Sequence, residues 1–103
     1  MILYNITQVV SDEKAQQYID WLQITYLPLL RNSTYFHDVK LFKIIDSPNE
    51  GQSFSLQLFT PSIENIDSFK TSLLNILYEK MQHDFNGHLL IFDTVMQYID
   101  NKL

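Results

Sequence analysis

The sequence predicts an α+β domain of βαββαβ order. This is the split-βαβ, ferredoxin-like arrangement: a four-stranded antiparallel sheet with two helices on one face. Three observations predict it. Two stretches carry apolar residues at helical period, and strand-like runs flank each of them. Breaker and capping residues fall at the junctions. The apolar stripes of the two helices cover one face of the sheet.

The elements follow in order. Residues 2–10 read as a strand rich in Ile, Leu, Tyr and Val. Ser11 is a cap, with Asp12 and Glu13 in the positive first turn of a helix over 12–31. Ala15, Tyr18, Ile19, Leu22, Tyr26, Leu29 and Leu30 form its apolar stripe. Pro28 predicts a kink or an early end near Leu27. Residues 35–45 read as the second strand, and 46–52 as a turn-rich loop. Residues 53–60 alternate as a third strand. Pro61-Ser62 opens a second helix over 63–84, with Ile66, Phe69, Leu73, Ile76, Leu77 and Met81 on its stripe and Ile63 and Leu74 on the shoulder. Asn86-Gly87 is a left-handed stop, and residues 88–99 form the last strand.

Composition bounds the rest. The chain has 103 residues, read as one domain over 1–103. Apolar residues make up 46%, enough for a packed core. The absence of cysteine excludes disulfides, thiol nucleophiles and thiolate metal sites. A net charge of −5 argues against nucleic acid and against anionic membrane surfaces. No apolar run approaches the ~20 residues of a membrane span. No signal segment is read at Met1, so a cytoplasmic protein is expected. The surplus of apolar residues predicts a homodimer through the open sheet face, which would make a dimeric α/β barrel.

Met1-Ile2-Leu3-Tyr4-Asn5-Ile6-Thr7, Trp21-Leu22, Tyr26-Leu27-Pro28 and Phe54-Ser55-Leu56-Gln57-Leu58 together resemble a bacterial family of short proteins of unknown function. The resemblance implies the dimeric α/β-barrel, ferredoxin-like superfamily. That superfamily includes cofactor-independent monooxygenases and haem-degrading enzymes. The family commonly carries His where this sequence has Tyr26.

Few residues point to chemistry. Asn5 sits mid-strand among apolar residues, where an amide is disfavoured. Gln57 and Asp93 can be drawn on its side, with Thr7, Ser55 and Gln97. Two readings stand: a polar cluster orienting a small ligand, or a satisfied network inside a dimer interface. Trp21 lies off the core stripe with Ile24 and Pro28, as a contact surface, a pocket lid or a lone indole. His37 shares a strand face with Tyr35, Val39 and Leu41, which predicts a partly buried histidine or a general base. His83 and His88 flank Asp84, a spacing too unspecific for a metal site. There is no G-x-S-x-G, H-E-x-x-H or P-loop, and no cofactor is expected.

Two functions of different class follow. The first is a non-catalytic dimeric module that binds a small metabolite or a protein. The second is a cofactor-independent monooxygenase-like or isomerase-like enzyme, working between helices and sheet. There Asn5 would hold a substrate oxygen, and Trp21 and Tyr26 would shape the cavity.

Overall fold

The structure, a computed structural model, describes residues 1–99. The predicted domain's residues 100–103 lie outside the described residues. Four strands form one antiparallel sheet in the order β2-β3-β1-β4: β1 (Ile2–Val10), β2 (Asp38–Ile44), β3 (Gln52–Thr60) and β4 (Leu89–Gln97). The helical segments lie on one side of it, so the ferredoxin-like βαββαβ arrangement stands.

The register divides the side chains cleanly. On β1, Tyr4 stands between Leu58 and Val95, and Ile6 between Leu56 and Asp93. These even-numbered β1 residues face the helices. Asn5 stands between Gln57 and Thr94, and Thr7 between Ser55 and Phe92, on the open face. Tyr4, Ile6, Leu56 and Leu58 are sealed against Tyr18, Leu22, Phe69 and Leu77 from the helices, all at or below 1% exposure. Burying each such side chain contributes about 1.5–3 kcal/mol.

The first helix is one rod in three pieces: α1 (Asp12–Trp21), a π turn (Leu22–Tyr26) and α2 (Leu27–Asn32). Its buried residues explain the π turn. Tyr18, Leu22, Tyr26 and Leu30 are spaced four apart. In an α-helix each step of four overshoots one turn by about 40°, so the stripe would drift off the core by about 120°. The wider π turn removes that excess. It also absorbs Pro28, which falls at the start of α2 where its missing N–H breaks little. The expected break at Leu27 is therefore a change of helical pitch, and the rod runs on to Asn32.

The second helix does break, contrary to expectation, into α3 (Ile63–Lys70) and α4 (Leu73–Asp84). The hydroxyls of Thr71 and Ser72 both donate to the Ser68 carbonyl, at 3.1 and 2.7 Å, and so compete with the helical ladder. The break changes the phase, and Leu74 rather than Leu73 becomes buried. The second strand starts at Asp38 instead of residue 35. Its partner β3 ends at Thr60 before Pro61, so residues 35–37 find no ladder beyond the His37 N–H bond to the Phe59 carbonyl. β4 ends at Gln97, two residues short of the expected limit.

Gly51 fixes the β2–β3 turn against the end of β1. Its φ is +83°, and a Cβ there would lie 2.4 Å from the Val10 carbonyl oxygen. Among the described residues no helix is long and apolar enough to cross a membrane.

Candidate functional site

The open sheet face carries the polar cluster built around Asn5. Strand pairing places Asn5 directly opposite Gln57, and Thr7 opposite Ser55. The Ser55 hydroxyl donates to Asn5 Oδ1 at 2.6 Å, and Asn5 Nδ2 donates to Thr7 Oγ1 at 3.1 Å. Gln57 Nε2 donates to Ser55 Oγ at 3.4 Å. Four short polar side chains thus form one chain of bonds in the middle of the face. Longer apolar residues surround it. Leu90 is 60% exposed, Phe92 57%, Phe42 47% and Met96 41%.

Asp93 does not belong to this cluster. It shares strand parity with Leu89 and Ile91, so it points to the helix side. There its carboxylate accepts a hydrogen bond from the hydroxyl of Tyr4. Gln97 has the same parity and also leaves the cluster. Alternation groups both with Leu89 and Ile91, and the register with β1 assigns that group to the helix side.

Trp21 and Tyr26 come together, but not around a cavity. Five residues apart, they would be about 140° apart on an α-helix. The π turn brings their rings into a stack, with centroids 5.1 Å apart and planes at 18°. Trp21 is therefore half-buried against the core, while its expected neighbour Ile24 stays outside at 76% exposure. Lys80 Nζ lies 5.4 Å from the indole centroid. Tyr26 is sealed, and its hydroxyl donates to the Leu73 carbonyl at 2.7 Å.

His37 is exposed, not partly buried. The strand expected to hold it begins one residue later. His83 and His88 part company. His83 lines a recess with Trp21 and Lys80, whereas His88 Nδ1 lies 3.2 Å from both Ser11 Oγ and Glu13 Oε1. Among the described residues no three His, Asp or Glu side chains converge as a metal site.

The sequence reading missed the buried polar pair under the helices. Gln8 is fully buried among Tyr4, Ile6 and Val10 on the helix face of β1. Its Oε1 accepts from the Tyr18 hydroxyl, and its Nε2 donates to the Ile6 carbonyl at 2.9 Å. A glutamine interrupting an apolar face was the available signal. Burial pushes the Tyr18 and Tyr26 phenols well above their ordinary range. Burial does the same to Tyr4, reinforced by its bond to the Asp93 carboxylate. Among the described residues no buried side-chain polar atom lacks a partner.

The arrangement has solved counterparts. An ethyl tert-butyl ether d (ethd) family protein from Bacillus halodurans is 17% identical, with a TM-score of 0.64 over 96% of this chain and 100% of its own. The heme-degrader MhuD from Mycobacterium tuberculosis, solved with two hemes bound in its active site, is 11% identical, with a TM-score of 0.65 over 99% of each chain. A protein from Agrobacterium tumefaciens is 6% identical, with a TM-score of 0.68 over 98% of this chain and 96% of its own. Identities this low speak to the fold alone. No curated protein matches the chain. Residues 1–99 match the family described as Domain of unknown function (DUF4286), and the chain belongs to that family.

Proposed function

We propose that the protein is a homodimeric α/β barrel, formed by two open sheet faces packed together, and that it serves as a non-catalytic binding module for a small metabolite or a protein. One observation carries this reading. The helix side of the sheet is filled, with Tyr4, Tyr18 and Tyr26 at 0% exposure, while the other side leaves Phe42, Leu90, Phe92 and Met96 uncovered. An uncovered apolar patch of this kind marks a surface that meets a partner. In the packed dimer the Asn5–Ser55–Gln57 network would fix how the two faces align, because its groups are costly to bury in any other pairing.

The enzyme reading needs Asn5 and a titratable group to converge on one substrate. Asn5 lies on the open face, whereas Tyr26 is enclosed on the helix side. The fold likeness to a heme-degrader makes hemin the natural probe for that alternative. Saturable hemin binding that depends on Trp21 would favour it.

Light scattering on the wild type tests the proposal. We expect the mass of more than one 12.2 kDa chain at micromolar concentration. Phe42→Asp, which places a charge on the open face of each copy, should raise the dissociation constant at least ~100-fold, as burying an unpaired charge costs several kcal/mol. A single-chain mass for the wild type at that concentration would refute the dimer.

A further inference from the structure

The strand register sorts the open face into rows that run across the sheet. One row reads Lys40, Gln57, Asn5 and Thr94, polar from edge to edge. The row beside it reads Phe42, Ser55, Thr7 and Phe92, polar on the two inner strands and aromatic on the two outer ones. On its other side the polar row meets Phe59 and Leu3.

This face is a trough. Its floor is β1 and β3, where Ser53, Ser55 and Val9 are already buried. Its walls are β2 and β4, where Phe42, Leu90 and Phe92 stand exposed. Facing sheets lie ~10 Å apart, and side chains from both must fill that space. A barrel of about eight strands has an interior just wide enough for side chains to fill, or for one small ligand to occupy. Two copies of this four-stranded sheet supply that number of strands. Over Ser55 and Thr7 the side chains are too short to fill it from either side.

The groups around that space favour one kind of guest. Asn5 Nδ2 and Gln57 Nε2 each spend one N–H on the network and keep a second. Thr7 Oγ1 accepts from Asn5 and keeps its own O–H to donate. Lys40 ends the polar row with an ammonium, its Nζ 3.8 Å from the Asp38 carboxylate. Asp38 is the first residue of β2, at the end of the sheet rather than over its middle. A second copy brings the same groups to the same space, and two ammonium ions there call for an anion. Phe42 and Phe92 on one flank and Leu3 and Phe59 on the other give that anion apolar walls.

We propose that the dimer encloses one cavity shared by its two open faces, and that Asn5, Thr7, Gln57 and Lys40 of both copies hold a small organic carboxylate in it. The site rests on the face-packed dimer put forward above, since either face alone is an open trough.

Titration calorimetry on the wild-type protein tests the site, with butyrate and benzoate as probes and butanol and benzyl alcohol as their uncharged counterparts. We expect at least one carboxylate to bind the dimer with a Kd below about 1 mM, and its alcohol to bind at least ~10-fold more weakly. Lys40→Met keeps the length of an exposed side chain and removes its charge. It should weaken the carboxylate at least ~10-fold and leave the dimer mass unchanged in light scattering. Gln57→Leu should weaken it too, through loss of the amide. Phe42→Asp, which separates the copies, should abolish uptake. A dimer that binds neither carboxylate, or binds it equally well after Lys40→Met, overturns the shared site and leaves the dimer standing. Undiminished uptake by single chains of Phe42→Asp overturns it as well. A single-chain mass for the wild type removes the dimer and the site together.

Discussion

Alkaline pH should unfold this protein through its buried phenols. Tyr4, Tyr18 and Tyr26 are all fully buried, and burial raises each of their pKa values in the folded state. In the unfolded chain each titrates near ~10. The folded pKa lies above the unfolded one, so the stability these groups confer is complete below pH ~10 and is lost as pH rises toward the folded value. Each tyrosine then removes about 1.4 kcal/mol per pH unit, and three together about 4 kcal/mol per unit. A domain of ordinary stability, ~5–15 kcal/mol, should therefore unfold between about pH 11 and 14. The assay follows tyrosinate absorbance and far-ultraviolet circular dichroism on the same sample. The phenolate signal of the buried three should appear in one cooperative step with loss of helix. Tyr18→Phe should lower the number of protons released in that step by one, whatever it does to the midpoint. If all 6 tyrosines ionise while the ellipticity stays native, the reasoning fails.

Two further outcomes concern the fold. Tyr18→Phe and Gln8→Leu should each cost ~1–3 kcal/mol in urea unfolding, since each leaves a buried polar partner or loses its bond. The double variant should cost less than their sum by about 1 kcal/mol, and strict additivity would deny the bond. Gly87→Ala should cost ~1–2 kcal/mol, because its φ of +79° is left-handed, although a Cβ there meets only free space. Gly51→Ala should cost more than that, because its new methyl would strike the Val10 carbonyl; equal thermal shifts for the two would contradict the close approach.

The element order was legible because each strand and helix carries its own period. β1 was read to the residue, since Ile2–Val10 lacks any breaker and Ser11 ends it. What was not legible depended on partners distant in sequence. Residues 35–37 have strand composition, but Pro61 ends the strand that would pair with them. The break at Thr71–Ser72 depends on hydroxyls preferring the Ser68 carbonyl, a local competition that an apolar stripe does not display. At the candidate site, Asn5 and Gln57 were brought to one face by alternation alone. Alternation alone left Asp93 without a side, because β4 is apolar at both parities, and only the register with β1 sends it to Tyr4. Trp21 was misplaced because a fixed 100° step was carried through a turn that holds more residues. The repeated spacing of four among Tyr18, Leu22, Tyr26 and Leu30 was the overlooked sign of that turn.

The π turn marks one residue of the first helical rod as an insertion that the wider turn takes up. Deleting one residue from 22–26 would restore an unbroken α-helix and leave the downstream segment nearly in its present direction relative to α1. Trp21 and Tyr26 would then stand four apart, a spacing at which an α-helix already brings side chains together. A one-residue deletion elsewhere in the rod would instead turn every later side chain by about 100° off the core. The rod's tolerance to changes of length is therefore confined to this turn.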